Sequence, residues 1–258
     1  MKKKKFKPFF SVITVVKNDQ LNIQKTIKSV ISQNFKNFEY IVLDGKSADK
    51  TFSKINEYKR KIQHISSRKD KGIYFAMNKG IKIAKGTFIV FVNSGDLLTK
   101  NALKDIYHLY KKNKEVDFIF GTVKRYYTTG YIIKSGYNKF RLNYNFDFAT
   151  SHSTGFYIKL QSLKKVGIFN TSYHCSADYD LYYRAIIKKK LKGISTKRNN
   201  IIGIMKSGGY SSKIGFLKHL QEEIKIRYNN KQNIIFIIGI FCNAIIKFII
   251  KKSFNFFK

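Results

Sequence analysis

Acids are scarce in this chain: 15 Asp and Glu against 51 Lys and Arg in 258 residues. Their positions therefore carry information. Asp44 closes the β-favouring run "FEYIVLD" and Asp96 closes "TFIVFVNSGD". Asp70 lies in "SRKDKG" after "IQHISS", and Asp178 stands in the first turn of "SADYDLYYR". A strand-end carboxylate such as Asp96 can hold a divalent cation, because Mg²⁺ takes hard oxygens, keeps waters and needs only one or two carboxylates once phosphate oxygens join it. It can equally cap the turn into "LLTKNALK", and the sequence leaves both roles open. Asp44 can accept hydrogen bonds from a base or ribose, or close an Asx turn before a helix capped by Ser47 or Asp49. A helix N-terminus keeps Asp178 ionised, as a general base must be, and the same dipole suits Asp180. The lone His152 is a structural residue or a phosphate or metal ligand.

The elements that must position these acids are legible as hydrophobic pattern. Phe9–Val16 is a nearly unbroken run of β-branched and aromatic residues, which predicts a strand buried on both faces. Asn18 or Asp19 can cap a following helix with Leu21, Ile23, Ile27, Val30 and Ile31 on its apolar side. "FEYIVLD" predicts a second strand, with a second helix after "GKSADKT". "IQHISS" predicts a short third strand. "KGIYFAMNKGIKIAKG" predicts a helix with Ile73, Met77, Ile81 and Ala84 inward, stopped by Gly86, and the strand ending at Asp96 follows. This β-α-β-α-β-α-β order predicts an α/β fold with a mostly parallel, doubly wound sheet. Ligands of such sheets bind beyond the carboxyl ends of the strands, where Asp44, Asp70 and Asp96 share one rim.

After residue 98 the alternation loosens. "VDFIFGTVKRYY" and "GYIIKSG" read as strands, as an antiparallel pair. "TSHSTGFYIK" reads as another strand, and "LQSLKKVG" as a helical turn ended by Gly167. "SADYDLYYRAIIKKKLKG" reads as one helix capped by Ser176. Residues 212–230 predict a charged amphipathic helix. Residues 233–250, "NIIFIIGIFCNAIIKFII", are apolar but slightly short of the ~20 residues a spanning helix needs, carry Asn243 and Lys247, and are flanked by lysines. Surface-lying, spanning and core or dimer helices are all compatible with that run, and the lysine flanks favour the first. The sequence thus divides into a basic tail over 1–8, a main domain over 9–210 and a basic, apolar helical extension over 211–258.

The net charge of +36 bears on partners rather than on fold: nucleic acid, anionic lipid and phosphorylated substrates all qualify, and so does compositional drift in a Lys-, Ile- and Asn-rich chain. Cys175 and Cys242 are far apart, which gives no disulfide framework or zinc spacing and suggests a reducing compartment. "MKKKKFKPFFSVITVV" imitates a signal peptide, but the apolar run is short and leads straight into a turn, so a first strand is the preferred reading. Walker, dinucleotide and nucleophile-elbow glycine patterns are absent.

Four ordered stretches together resemble the family 2 glycosyltransferases of GT-A fold. They are "FSVITVVKND", "SVISQNFKNFEYIVLDGKSADKT", "KDKGIYFAMNKGIKIAKGTFIVFVNSGD" and "KKVGIFN" with "SADYDLYYR", spanning roughly residues 9–190. The branch with "GIY.AMNKG" and "N.GD" is the most similar, and its members commonly build bacterial surface polysaccharides. The resemblance implies an inverting transfer from a nucleotide-diphosphate sugar, a UDP-sugar by expectation, to a hydroxyl of a glycan or lipid-linked acceptor. It implies that Val15, Asp44, Asp70 and Asn93 border or contact the donor nucleotide, that Asp96 ligates Mg²⁺ or Mn²⁺, and that Asp178 is the base. The chain departs from the pattern at three places: "NSGD" keeps one acid where several are usual, Gly45 replaces the second acid of a pair, and Ala177 replaces the Glu before the base.

The resemblance also gives the basic extension a use. A cytoplasmic enzyme held peripherally at the inner face of an anionic membrane would meet a lipid-linked acceptor there. Rival readings are a nucleotidyltransferase, whose glycine- and arginine-rich signature "VVKNDQLN" lacks, a glycosyltransferase that has lost activity, and a nucleic-acid-binding protein. Lys dominance, with no stacking motif of the RNA-binding modules, speaks against specific nucleic-acid recognition.

Overall fold

The computed structural model describes residues 7–138, 153–206, 208 and 214–256, with the backbone path alone over 251–256. His152 lies outside the described residues. In chain order the strands are β1 (Phe10–Val16), β2 (Phe38–Asp44), β3 (His64–Ser67), β4 (Phe88–Phe91), β5 (Leu97–Leu98), β6 (Phe118–Phe120), β7 (Thr122–Tyr127), β8 (Gly130–Lys134), β9 (Phe156–Lys159), β10 (Gly193–Ser195) and β11 (Ile201–Lys206). The helices are α1 (Ile23–Ile31), α2 (Thr51–Asn56), α3 (Ile73–Ile83), α4 (Ala102–Lys112), α5 (Leu160–Val166), α6 (Ala177–Tyr183), α7 (Phe216–Asn229) and α8 (Ile234–Phe256).

Seven strands form the main sheet in the order β10-β6-β9-β4-β1-β2-β3. Every pairing in it is parallel except those of β9, which runs against both β4 and β6. β1 is central and wholly buried, which is why its sequence shows no polar alternation. The period of two appears instead in which layer each residue joins. Ile13, Val15, Ile41, Leu43, Ile89 and Phe91 pack toward Tyr74, Met77 and Ile81 of α3 and Leu181 and Tyr182 of α6. Phe10, Val12, Val42, Phe88 and Val90 pack toward Ile23, Ile27 and Val30 of α1, Ile55 of α2, and Leu103 and Ile106 of α4. Each fully buried aliphatic or aromatic side chain contributes ~1.5–3 kcal/mol.

The expected antiparallel pair is the β7–β8 hairpin, with Tyr127 opposite Gly130. It belongs to a second sheet, β5-β11-β7-β8. The run "VDFIFGTVKRYY" is therefore two strands, β6 in the main sheet and β7 in the second. The break falls at Gly121, where a Cβ would lie 2.9 Å from Cβ of Ile202.

Three local expectations differ from the structure. Asn18 and Asp19 do not cap α1; its N-cap position is Asn22, whose side-chain amide donates to Asp19 Oδ1 at 2.8 Å. α3 ends before Ala84, and Gly86 serves a close approach instead: a Cβ there would sit 2.4 Å from the backbone nitrogen of Ser11. The helix beginning at Ala177 is α-helical only to Tyr183, continues as one π turn over Arg184–Lys188, and stops short of Gly193. π turns inside helices are uncommon and concentrate near functional sites.

Candidate active site

The parallel strands β1, β2 and β4 present their carboxyl ends at one edge, and the turns leaving them are laced together. Asn18 N–H donates to Ser47 Oγ at 2.8 Å, and Ala48 N–H returns a bond to Asn18 Oδ1 at 2.9 Å. Ser94 Oγ donates to Asp19 Oδ2 at 2.7 Å, and Gln20 N–H to Asp49 Oδ2 at 3.2 Å. Asn18 (φ 51°) and Lys46 (φ 58°), neither a glycine, hold left-handed backbone conformations in these turns. Such conformations cost ~1–3 kcal/mol each and gather where a binding surface dictates the backbone.

Asp44 ends β2, paired with Val16 of β1 and Ser67 of β3. Its carboxylate is buried and accepts from Ser47 N–H at 3.1 Å and from the hydroxyls of Ser47 and Ser67 at 2.5 Å each. The Asx-type closure expected as an alternative is thus made, and it fixes the rim turn. Val15 is buried one residue from the end of β1, its carbonyl accepting from Ser94 N–H at 3.3 Å. Asp70 follows β3 on the same side and is ion-paired with Lys79 of α3.

The turn after β4 carries Asn93 and Asp96. Gly95, at φ 96°, takes the left-handed position that lets the chain double back, and its N–H donates to Thr26 Oγ1 at 3.0 Å. Thr26 Oγ1 donates in turn to the Asp96 carbonyl at 2.9 Å. The Asp96 carboxylate is buried and accepts from Thr154 Oγ1 at 2.7 Å. Thr154 reaches it because β9 runs antiparallel to β4, so the segment before Phe156 returns to the carboxyl end of β4. Asn93 Nδ2 donates to Ser153 Oγ at 3.2 Å, while Asn93 Oδ1 is buried without a donor. An orphaned buried acceptor calls for a partner.

Asp178 is half-buried in the first turn of α6. The hydroxyl of Tyr74, in the first turn of α3, donates toward its Oδ1 at 3.4 Å. Burial, and then the Asp178 charge, push the Tyr74 phenol well above its usual range, and the same two causes act on Tyr182. Both phenols therefore stay protonated, and Tyr74 faces the carboxylate as a donor. Asn78 pins the loop before α6: it donates to the Phe169 carbonyl at 2.8 Å and accepts from Phe169 N–H at 3.0 Å. One helix, α3, thus begins beside Asp70, contacts Asp178 through Tyr74, and holds the intervening loop through Asn78.

The expected Ser176 cap is not made; no side-chain bond from Ser176 caps α6. The Ser176 N–H instead donates to Glu222 Oε2 on α7 at 3.0 Å. Asp180 takes a different role from Asp178: it is bonded by Arg184 Nε at 2.8 Å and by Asn230 Nδ2 at 3.0 Å, a buried structural anchor. Tyr74, Asn78, Thr154 and Glu222 escaped the sequence reading. Only Tyr74 and Asn78 carried a signal, as polar-tipped residues on the inner side of a helix otherwise apolar there.

Among the described residues, no three His, Cys, Asp or Glu side chains gather into a metal cage. Asp96 and the orphaned Asn93 Oδ1 nonetheless supply two hard oxygens from one turn. That donor set fits a cation whose remaining ligands come from phosphate and water.

A family model described as Glycosyl transferase family 2 matches residues 11–191. Similar proteins include the poly(ribitol-phosphate) beta-N-acetylglucosaminyltransferase TarP of Staphylococcus aureus, 34% identical over 43% of this chain and 35% of its own length. The beta-1,3-glucosyltransferase WfgD of Escherichia coli, described as acting from UDP-Glc on alpha-D-GlcNAc-diphosphoundecaprenol, is 28% identical over 70% of this chain and 81% of its own. Against the first relatives found, the match covers between about a third and three fifths of their length. The S. aureus TarS structure in complex with UDP-GlcNAc superposes with TM-score 0.70 at 18% identity, over 92% of this chain and 71% of that one. That likeness bears out the GT-A type fold.

Proposed function

The chain belongs to glycosyl transferase family 2, and from that premise we propose that it is an inverting glycosyltransferase of bacterial surface-polysaccharide synthesis. It would move a sugar from a nucleotide diphosphate, a UDP-sugar by preference, to a hydroxyl of a glycan or lipid-linked acceptor. The observation that supports this reading is the Tyr74 hydroxyl donating toward Asp178 Oδ1 at 3.4 Å, from the helix α3 that begins just after Asp70.

In this mechanism Asp178 takes the proton of the acceptor hydroxyl. That oxygen attacks the anomeric carbon from the face opposite the leaving group, the bond from that carbon to the diphosphate oxygen breaks, and the nucleoside diphosphate departs. One displacement inverts the configuration through an oxocarbenium-like transition state. Tyr74 orients the carboxylate. Asp44, Asp70 and Val15 border the nucleoside, with Asp44 exchanging a serine hydroxyl for a ligand hydroxyl. Asn93 and Asp96 would hold Mg²⁺ or Mn²⁺, which when bound offsets negative charge on the leaving diphosphate. Lys46, Arg68 and Lys71 lie in the rim loops and add positive charge there.

In this proposal α8 is the contact with an anionic membrane surface. Ile235, Ile238 and Ile249 are 75%, 56% and 56% exposed, and Lys247 lies among them. Among the described residues no helix is long and apolar enough to cross a membrane; the exposed apolar side chains and the lysines of this run support the surface-lying reading.

The test is a hydrolysis panel of UDP-glucose, UDP-N-acetylglucosamine and GDP-mannose with and without Mn²⁺, on the parent and on Asp96→Ala. Turnover of one donor, stimulated by Mn²⁺ in the parent and not in the variant, is expected. No turnover of any donor, beside an unaltered affinity for UDP, would favour a transferase that has lost its activity.

A further inference from the structure

We propose that α7, through Glu222, is a positioning device for Asp178, so that the base is assembled only when this C-terminal helix is seated. The inference rests on the reading of Asp178 as the base. Glu222 is buried, and its carboxylate accepts four bonds from the segment that launches α6. They come from His174 N–H at 2.6 Å, Cys175 N–H at 2.9 Å, Ser176 N–H at 3.0 Å and the Cys175 thiol at 3.1 Å. In a capping box the third residue of a helix reaches back to the N–H of the N-cap residue. Here that third residue is Tyr179, which has no carboxylate, and Glu222 does the same work from a different helix. Asp178 is two residues beyond the N–H that Glu222 holds.

Three further contacts seat α7 on the same unit. Asn229 Nδ2 donates to the Tyr173 hydroxyl at 2.9 Å, and Asn230 Nδ2 to Asp180 Oδ1 at 3.0 Å. The fully buried Arg227 guanidinium lies 5.5 Å from the ring centre of Tyr179. These contacts bracket Asp178 on both sides in sequence, at 173–176 and at 179–180. Arg227 is itself held by Glu223 Oε1 at 2.7 Å and by Gln232 Oε1 at 2.8 Å, so the brace is rigid from behind. An acid placed by such a frame loses rate when the frame loosens, since a misplacement of ~1 Å can cost on the order of a hundredfold.

The experiment compares the parent, Glu222→Gln and Glu222→Ala in UDP-glucose and UDP-N-acetylglucosamine hydrolysis, with UDP affinity measured alongside. Expected are a kcat lowered on the order of tenfold to a hundredfold in Glu222→Ala and less in Glu222→Gln. Donor KM and UDP affinity should stay within about twofold, because the rim turns are untouched. A parental kcat in Glu222→Ala, or a kcat loss matched by an equal loss of UDP affinity, overturns the proposal. Asn230→Ser, which frees α7 from Asp180 alone, carries the same expectation should Glu222→Ala fail to fold. Asp178→Asn separates the two claims: full activity in it removes the base itself, whereas a dead Asp178→Asn beside a normal Glu222→Ala removes only the brace.

Discussion

The hydroxyl of Thr154 donates to Oδ2 of Asp96 across 2.7 Å, joining the turn after β4 to the segment that enters β9. A buried carboxylate that accepts such a hydroxyl is aimed as well as solvated. Thr154→Val keeps the shape and removes the donor. A hydrogen bond to a charged group contributes ~1.5–3 kcal/mol, so the urea midpoint should fall correspondingly. Donor hydrolysis should fall about tenfold if Asp96 must be aimed at a cation. Parental values in both measurements would show that this bond positions nothing.

Asn78 and Phe169 exchange two hydrogen bonds in a buried setting. Asn78→Leu leaves an N–H and a carbonyl unpaired at ~1–3 kcal/mol each, and frees the loop leading to α6. Urea denaturation should show a loss of about 2–4 kcal/mol, larger than for Asn78→Asp, which keeps the acceptor. Equal stabilities for the two variants would contradict the role assigned to this amide.

The pH dependence of stability follows from Glu222. Burial alone would raise its pKa, but the amide donors of Cys175, His174 and Ser176 and the Cys175 thiol outweigh it and lower the value beneath the ordinary 4.5. The unfolded chain therefore binds this proton more readily than the folded one. The stabilisation is fully present above the unfolded value and is lost as pH falls through the still lower folded value. Glu222→Gln should be less stable than the parent at neutral pH, and the gap should close in acid. A gap that stays constant down to pH 3 would remove Glu222 from this balance.

α8 rests on α7 partly through Phe216 and Phe248, whose rings stack 4.4 Å apart and within 2° of parallel, while most of its large apolar side chains face outward. A chain ending at Gln232 removes this helix and keeps the bonds that α7 makes to the Asp178 segment. Sedimentation with phosphatidylglycerol vesicles should capture the full chain and little of the shortened one, with phosphatidylcholine capturing neither well. Each Lys near an anionic surface adds ~1 kcal/mol. Equal sedimentation of the two chains on anionic vesicles would exclude α8 as the contact.

The core of the fold was legible because strands buried on both faces must be apolar throughout, so β1, β2 and β4 stand out as runs and the helices between them as periodic stripes. Asp44 and Asp96 were legible for the same reason, each being the first charge after such a run, whereas Asp70 follows Arg68 and Lys69 and is marked only by its position after β3. What escaped depends on pairs distant in sequence. Thr154 and Asp96 are 58 residues apart, and Glu222 and Ser176 are 46 apart. α7 read as a charged amphipathic helix, and nothing in that pattern marks Glu222 as facing inward, because its partners are backbone amides that no side-chain pattern announces. Gly121 was passed over because a strand that changes sheets keeps its apolar period across the break.

The most direct test of the central claim is the turnover of Asp178→Asn on the donor the parent hydrolyses, with UDP affinity measured by calorimetry on the same preparations. Removing a general base costs roughly 10²–10⁴ in rate. Expected is a kcat lower by that factor with UDP affinity unchanged, and a kcat within a few fold of the parent would rule out Asp178 as the base.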